Sequence, residues 1–415
     1  MSIELKVRLA KIEVAADTPD VVPFVVSVEG VKPSGLPSAY LIAIDTSLSM
    51  DGSKIFRAKE AALRILDSLR PSDLVSVYGF NSRVERAAKL VPASRREELE
   101  KAIVGLRLGG GTNIHAVLRE LEKDAAAALR GGSVGSVKVL IVTDGNPTAG
   151  PKSVESIAAA ARDLGKHVSA ALIVGVGEDY NEKLLAEVAR NLNGFFEHVS
   201  HPDQLSSLIP RFVAEYRDVS AKSVRVVIKS VPGVDVNVFG RESYLTKEGL
   251  EIPIGDVHYG EKVSVAGEFL LAPQPSGARV LAQVRARFVD PKTGREAEVS
   301  AEPVRVVALP PEQVSSVAVD ERVLVEVSAV KLAESLSKAL ATSSGGARAA
   351  SEELKKKVEE ILNTTLSLGR EDLYQKTIDL QERLRREGLS PEAYKELMSL
   401  ISRILSGRLA EAKGG

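Results

Sequence analysis

The stretch Leu41–Met50, "LIAIDTSLSM", decides the fold of the central part of the chain. Its first four residues are apolar, as in a strand that is buried on both faces of a sheet. The strand then ends in a carboxylate, Asp45, and hydroxyls follow at alternate positions, Ser47 and Ser49. Parallel α/β sheets bind ligands at the carboxyl ends of their strands, where the strand order reverses. The stretch therefore predicts a central strand that ends at a polar site.

The residues around this stretch alternate between apolar strands and amphipathic helices. Such alternation predicts an α/β fold with a doubly wound, mostly parallel sheet that is covered by helices on both faces. Residues 86–91 are a further candidate for an edge strand. The expected strands are 39–45, 74–80, 137–143, 168–175 and 194–199, and the expected helices are 54–69, 95–105, 113–129, 153–164, 182–191 and 202–217.

The sequences before and after this region have a different period of apolar residues. Residues 3–14 and 21–29, and most of the chain from about 220 to 308, alternate between apolar and polar residues in the manner of strands. The N-terminal strands have no partner in a parallel sheet, so we expect them to pair with the later strands. This predicts an antiparallel β-sandwich with the α/β domain inserted in it.

Beyond "ALPPEQ" (308–313) the chain has a helical pattern almost throughout. Short breaks between amphipathic helices predict a C-terminal α-helical bundle. The expected helices are 314–340, 347–362, 370–387 and 391–411. The expected domains are therefore 36–217 for the α/β domain, 1–35 with 218–308 for the β-sandwich, and 309–415 for the helical domain.

The composition excludes several classes of function. The chain has no cysteine among its 415 residues, so disulfides, thiolate metal sites and cysteine nucleophiles are absent. The net charge of −1 gives no overall attraction to nucleic acid or to an anionic membrane. The N-terminus lacks the pattern of a secretion signal, and the chain has no apolar run of the length that spans a membrane. We expect a cytoplasmic protein, and the high charge content is an indication of a thermophilic source.

Two further stretches contain polar residues that we expect on the same face of the sheet as Asp45. "LGGGTN" (108–113) has Thr112 in a glycine-rich loop just before a helix. "VLIVTDGNPT" (139–148) ends another apolar strand in Asp144. Carboxylates and hydroxyls without His or Cys suit a hard cation, Mg²⁺ or Mn²⁺. The candidate metal ligands are Asp45, Ser47, Ser49, Thr112 and Asp144, whereas Asp51 is expected to be a solvated turn residue.

These residues resemble the metal-ion-dependent adhesion site of the von Willebrand factor A domains, over about 36–217. That site is a D-x-S-x-S loop with a distant Thr and a distant Asp, and here all five positions are filled in the same order. The resemblance implies that Ser47, Ser49 and Thr112 ligate the metal directly, and that the two acids bind it directly or through water. It also implies a non-enzymatic protein–protein interaction module, in which the metal accepts an Asp or Glu carboxylate from the partner.

The order of domains is similar to that of the archaeal motility-repression proteins of the Arn network, of bacterial von Willebrand A proteins and of the Sec23/Sec24 core. The coat proteins carry zinc-finger cysteines, which this chain lacks. The archaeal resemblance implies a forkhead-associated-domain protein as partner and Ser/Thr kinases that modify the module. Hydroxyls expected between the C-terminal helices are the possible phosphosites, although plain linker chemistry explains them as well: Thr342, Ser343, Ser344, Thr364, Thr365 and Ser367.

Several alternatives stay open at this point. The metal could be purely structural, or Asp45 and Ser47 could only cap the following helix. A metal-assisted phosphohydrolase would use Asp45 as nucleophile, but Ser47 stands where such enzymes usually have a second Asp, and no Lys is evidently placed to complete that site. "HVSH" (198–201) could hold a metal between two histidines, although a turn at the end of a strand is the simpler interpretation. His115 is expected to be a residue of the first helical turn.

Overall fold

The computed structural model describes residues 2–177, 180–314, 318–342, 352–369 and 371–410. Within it the chain divides into two compact units. The first unit comprises Met1–Lys32, Ser220–Ser390 and Gly407–Gly415, and the second comprises Pro33–Val219 and Pro391–Ser406. The chain therefore passes from the first unit to the second and back twice along its length.

The first unit begins with three strands, β1 (Ile3–Leu9), β2 (Glu13–Ala15) and β3 (Asp20–Gly30). Strands β1 and β3 pair antiparallel, with Ile3 opposite Gly30 and Leu9 opposite Phe24. The apolar residues of β3 are almost all buried, which shows that this strand lies in the middle of a sheet and not at its edge.

The second unit contains the α/β domain, and its sheet has the order β6-β5-β4-β7-β8-β9. All neighbouring pairs are parallel except β5 and β6, as expected for a doubly wound sheet with one antiparallel edge strand. The strands are β4 (Ser38–Asp45), β5 (Leu74–Phe80), β6 (Val84–Pro92), β7 (Ser136–Thr143), β8 (Ala170–Val176) and β9 (Phe195–Val199). The helices are α1 (Ser53–Ser68), α2 (Arg96–Gly105), α3 (Ile114–Arg130), α4 (Val154–Gly165), α5 (Glu182–Asn191) and α6 (Leu205–Glu215).

Burial explains why these strands have almost no polar residues. Every residue of β4 and of β7 is buried, because helices cover both faces of the sheet. Each fully buried Ile, Leu or Val stabilises the fold by about 1.5–3 kcal/mol relative to an exposed one. The side chains of Ile42 and Ile44 lie in the core on the same face as Met50, which anchors the loop after β4. The α/β fold predicted from the sequence is confirmed.

The chain then returns to the first unit and builds two sheets. One has the order β1-β3-β14-β11, and the other has the order β12-β13-β10-β15-β17-β2, with β16 beside β15. Pairing of β3 with β14 and of β2 with β17 places the N-terminal strands in the sandwich, as predicted. The later strands are β10 (Val219–Ser230), β11 (Val234–Val238), β12 (Tyr244–Thr246), β13 (Gly249–His258), β14 (Glu261–Leu271), β15 (Gly277–Val289), β16 (Glu296–Ser300) and β17 (Val304–Leu309).

The C-terminal part is helical, with α7 (Glu321–Thr342), α8 (Glu352–Ser367), α9 (Glu371–Glu387) and α10 (Pro391–Ser406). Helix α7 packs against β3, where Val323 and Val327 contact Val25 and Ala266. Helices α7, α8 and α9 pack against one another in order. Helix α10 is followed by Gly407, whose φ of 59° suits glycine, and a short strand, β18 (Arg408–Ala410), then pairs with β14.

Helix α10 packs on the α/β domain, within the second unit. It lies against α5 and covers β9, the edge strand of the parallel sheet. The backbone N–H of Phe196 donates to Ser402 Oγ at 3.3 Å. A side chain of the helix thus accepts a hydrogen bond from a backbone group that would be exposed to water at an open sheet edge. The apolar side of the helix is buried in this contact, through Leu397, Leu400, Ile401 and Ile404.

Candidate metal centre

The site lies where the strand order of the parallel sheet reverses. Strand β4 pairs with β5 on one side and with β7 on the other, and Ile44 lies opposite Val142. Asp45 is the last residue of β4, and Asp144 comes directly after β7. The two carboxylates therefore project from the same edge of the sheet, at the position where this class of fold binds its ligands.

Asp45 is fully buried and held at both oxygens. Its Oδ1 accepts a hydrogen bond from the backbone N–H of Ser47 at 2.8 Å, and its Oδ2 accepts one from Thr143 Oγ1 at 2.5 Å. Burial raises the pKa of Asp45 to about 6, although these hydrogen bonds favour the ionised form. A divalent cation bound beside Asp45 would offset the cost of burying its ionised form.

Ser47 and Ser49 join the two carboxylates in one hydrogen-bonded chain. The Oγ atoms of the two serines are 3.0 Å apart, and Ser49 Oγ donates to Asp144 Oδ1 at 2.8 Å. The short 3₁₀ helix Leu48–Met50 brings both hydroxyls to the same side of the loop. Ser47 makes no capping hydrogen bond with its side chain, and α1 begins after Gly52, so helix capping does not account for the D-x-S-x-S pattern.

Thr112 reaches the same point from a different loop. It is almost fully buried, and its backbone is held by Thr148: Thr112 N donates to Thr148 Oγ1 at 2.7 Å, and Thr148 N donates to Thr112 O at 2.9 Å. A methyl group placed on Gly145 would lie 3.3 Å from Thr112 Oγ1 and 3.9 Å from Ser49 Oγ. The absence of a side chain at Gly145 thus leaves room between the two hydroxyls.

The donor set fits a hard divalent cation. The structure brings the five predicted residues together at one edge of the sheet, and all of them offer oxygen atoms: Asp45, Ser47, Ser49, Thr112 and Asp144. Mg²⁺ and Mn²⁺ are bound by such carboxylate and hydroxyl oxygens in proteins. Asp51 is exposed and accepts a hydrogen bond from Gly52 N at 2.8 Å, as expected of a turn residue.

Two residues at this site were not found from the sequence. Thr143 supports Asp45, but a Thr at the end of a buried strand gives no distinctive signal. Lys54 Nζ lies 2.5 Å from Asp144 Oδ2, so a Lys is present at the site although none was evident from the sequence. Lys54 follows the D-x-S-x-S loop and occupies the first turn of α1, where a Lys gives no distinctive signal.

The histidines considered from the sequence lie elsewhere. His115 is in the first turn of α3, as predicted. His198 is buried, and one of its ring nitrogens lies within 4.8 Å of carboxylate oxygens from Glu392 and Glu396 of α10. The hydroxyl of Tyr180 contacts His198 Nδ1, and the ammonium group of Lys395 lies 4.2 Å from the centre of the Tyr180 ring. This region thus already contains a cation from the chain itself.

The possible phosphosites fall in two groups. Thr342 is the last residue of α7, and Ser343 and Ser344 lie outside the described residues. The other three hydroxyls lie within α8 and not between helices, because α8 extends to Ser367. Each donates to a backbone carbonyl four residues earlier, and Thr365 is buried: the three are Thr364, Thr365 and Ser367.

The fold and the site define an α/β domain that carries five converging oxygen ligands at the switch point of its sheet. Residues 41–211 match the family model of the von Willebrand factor type A domain, and this part of the chain is a von Willebrand factor A domain. Such domains generally mediate protein–protein interactions, often with the help of a metal.

The alignment with one curated relative covers only part of this chain. Human inter-alpha-trypsin inhibitor heavy chain H4 is 33% identical over 186 residues, which are 42% of this chain and 20% of that protein. The alignments span less than two thirds of the length of the curated relatives that the chain matches, including an uncharacterised protein of Synechocystis at 63%.

Solved structures share the fold over almost the whole chain. The von Willebrand factor type A protein of Catenulispora acidiphila covers 91% of this chain and 89% of its own, with 18% identity and a TM-score of 0.73. The ArnB paralog VWA2 of Sulfolobus acidocaldarius covers 97% and 98%, with 22% identity and a TM-score of 0.65. Human Sec24c covers 88% and 57%, with 12% identity and a TM-score of 0.53. The predicted resemblances of the whole-chain fold are thereby confirmed.

None of the helices in the described ranges is both long enough and apolar enough to cross a membrane.

Proposed function

We propose that this protein is a non-enzymatic, metal-dependent protein-binding module. The residues that hold Mg²⁺ or Mn²⁺ are Asp45, Ser47, Ser49, Thr112 and Asp144. When bound, the divalent cation supplies an electrophilic position that accepts a carboxylate from an Asp or Glu side chain of the partner protein. The observation that carries the proposal is the convergence of Ser49 Oγ, Thr112 Oγ1 and Asp144 beside Gly145.

Each protein group has a separate task at this site. Asp45 is buried and held by Thr143 and Ser47 N, so it supplies fixed negative charge beneath the hydroxyls. Ser49 is exposed, so the metal position is accessible from solvent on that side. Most of the ligands are neutral hydroxyls, which leave the bound ion more electrophilic than a set of carboxylates would.

An enzymatic role is less well supported by the same geometry. A phosphohydrolase would need a free carboxylate oxygen for attack, yet both oxygens of Asp45 accept hydrogen bonds and its side chain is inaccessible. Ser47 stands in place of the general acid that such a mechanism requires. Hydrolysis of p-nitrophenyl phosphate that is lost in Asp45→Asn would favour the enzyme over the binding module.

The test combines metal binding with capture of a partner. Wild type, Asp144→Ala and the control Asp51→Ala are titrated with Mn²⁺, and each immobilised protein is then incubated with native lysate in Mg²⁺ or in EDTA. We expect Mn²⁺ binding and Mg²⁺-dependent capture for wild type and Asp51→Ala, and neither for Asp144→Ala. A partner that is retained equally in every condition would contradict the metal bridge. Mn²⁺ that raises the melting temperature without affecting capture would indicate a purely structural metal.

A phosphorylation-linked partner is a separate part of this proposal. A forkhead-associated-domain protein and Ser/Thr kinases follow from the archaeal resemblance and from the hydroxyls of the C-terminal helices. Added phosphate would attract an Arg-bearing partner or reorder the helices. Mass spectrometry after kinase treatment tests this, and we expect phosphate on Thr364 or Ser367 before the buried Thr365. An absence of phosphate throughout 342–367 would rule the idea out.

A further inference from the structure

Lys54 places a positive charge inside the predicted metal site. Its Nζ lies 2.5 Å from Asp144 Oδ2 and 3.4 Å from the backbone oxygen of Ser49. The Asp144 side chain is fully buried, whereas the Lys54 side chain is 28% exposed. One oxygen of Asp144 therefore contacts an ammonium group, and the other accepts the hydrogen bond from Ser49 Oγ.

We propose that Lys54 sets the net charge of the site and so selects an anionic partner group. Two ionised carboxylates, Asp45 and Asp144, offset the charge of a divalent cation and so reduce its attraction for a third carboxylate. The charge of Lys54 leaves the loaded site with one positive charge in excess. This inference rests on the proposed metal-dependent function and names the residue that directs it toward carboxylates.

The same charge acts in opposite directions on the two binding steps. Lys54 repels an incoming Mg²⁺ or Mn²⁺ and weakens its binding, because both cations share Asp144. Once the metal is bound, Lys54 attracts the carboxylate of the partner. Charges a few ångströms apart near a protein surface change equilibrium constants by roughly tenfold or more. Because Lys54 is partly exposed, we expect the low end of that range, about tenfold, in each binding step.

Lys54 also lies where its removal should leave the fold intact. It occupies the first turn of α1, and a methyl group built on Gly177 would lie 3.5 Å from its Cε. The buried residues of α1 lie further along the helix. Lys54→Met keeps the unbranched stem and removes the charge, whereas Lys54→Arg keeps the charge. Asp51→Asn, at an exposed residue nearby, controls for a change of net charge that does not touch Asp144.

The experiment measures the two steps separately with simple probes. Calorimetric titration with Mn²⁺ alone gives the metal affinity of each full-length variant. Paramagnetic broadening of ¹³C-labelled acetate then gives the carboxylate affinity of the Mn²⁺-loaded protein. We expect Lys54→Met to bind Mn²⁺ about tenfold more tightly and acetate about tenfold more weakly than wild type. Lys54→Arg and Asp51→Asn should stay within about threefold of wild type in both.

The outcomes distinguish this inference from the function on which it rests. Wild type that binds Mn²⁺ and broadens acetate supports the metal-binding module, whatever the variants do. Lys54→Met that binds Mn²⁺ no more tightly, or acetate as well as wild type does, would overturn the role of Lys54 alone. Wild type that binds no Mn²⁺ would overturn both. Lys54→Arg that behaves like Lys54→Met would show that Lys54 acts by its shape and not by its charge, which also overturns the inference.

Discussion

Arg403 of α10 donates from Nε to Glu197 Oε1 of β9 at 2.6 Å, although the two residues are 206 positions apart in the sequence. Ser399 Oγ of the same helix donates to the other oxygen of Glu197 at 3.0 Å. The guanidinium group of Arg403 also lies over the ring of Phe195, 3.7 Å from its centre. A buried charge on an edge strand is thus paired by a helix from the far end of the chain.

Loss of this pair should destabilise the α/β unit. In Arg403→Met the carboxylate of Glu197, which is about 2% exposed, loses the guanidinium group of Arg403. Breaking one side of a buried ion pair costs about 3–5 kcal/mol. Urea unfolding followed by circular dichroism measures the change, with Arg386→Met at an exposed position of α9 as control. A loss below about 1 kcal/mol would mean that the Arg403–Glu197 pair contributes little to holding α10.

The space at Gly145 can be filled without disturbing the backbone. In Gly145→Ala the new methyl group would lie 3.3 Å from Thr112 Oγ1, between the hydroxyls that face the metal position. We expect the variant to fold and to bind Mn²⁺ about tenfold more weakly, since a displacement of a few tenths of an ångström disturbs the octahedral geometry. Calorimetry of Gly105→Ala, where a methyl group meets nothing within 4 Å, provides the matched control. Equal Mn²⁺ affinity in all three proteins would place the metal elsewhere.

We expect the ionised side chain of Asp45 to lower the stability of the metal-free protein at neutral pH. Burial raises its pKa from 3.8 to about 6, so the folded state holds the proton more tightly than the unfolded state does. For an acid shifted in this direction, stability is lost as the pH rises from about 4 to about 6. In EDTA at pH 7.5 we therefore expect Asp45→Asn to be more stable than wild type, by about 3 kcal/mol. Mg²⁺ should then stabilise wild type and leave Asp45→Asn unchanged. Thermal unfolding with and without Mg²⁺ checks both, and a less stable Asp45→Asn in EDTA would contradict the prediction.

Glu261 is expected to stabilise the sandwich at neutral pH, in contrast to the effect of Asp45 on the α/β domain. Burial alone raises its pKa, but Arg408, whose Nη1 lies 2.6 Å from Oε1, and hydrogen bonds from His258 outweigh burial and hold the pKa at about 2. An acid with a lowered pKa contributes stability above its unfolded pKa of about 4.5, and this contribution is lost as the pH falls toward 2.

Glu261→Gln should therefore be less stable than wild type at pH 7 and should lose less stability between pH 5 and pH 2.5. Urea unfolding at these pH values measures the difference, and Glu296→Gln on an exposed strand is the control. Parallel loss of stability in wild type and Glu261→Gln below pH 5 would show that the Arg408 pair does not persist.

The sequence was sufficient to predict the α/β core and the residues that converge on the site. Apolar runs that end in Asp45 and Asp144 give strong signals, because parallel strands place their ends at one edge. The partner of α10 could not be predicted, because an amphipathic period shows that a helix buries one face but not what covers it. Lys54 was missed for a related reason: a Lys in a first helical turn is normally a solvated residue, and only the fold brings it to Asp144.

The placement of α10 has a consequence for biosynthesis. On the ribosome, β9 is complete long before α10 emerges, because helix α6, strands β10–β17 and helices α7–α9 are translated in between. We expect the nascent α/β domain to present an open edge during that interval, without Arg403 beside Glu197 and with the N–H of Phe196 available to other strands. The charge of Glu197 then discourages pairing with a neighbouring nascent chain, so the residue that anchors the mature helix also protects the unfinished protein.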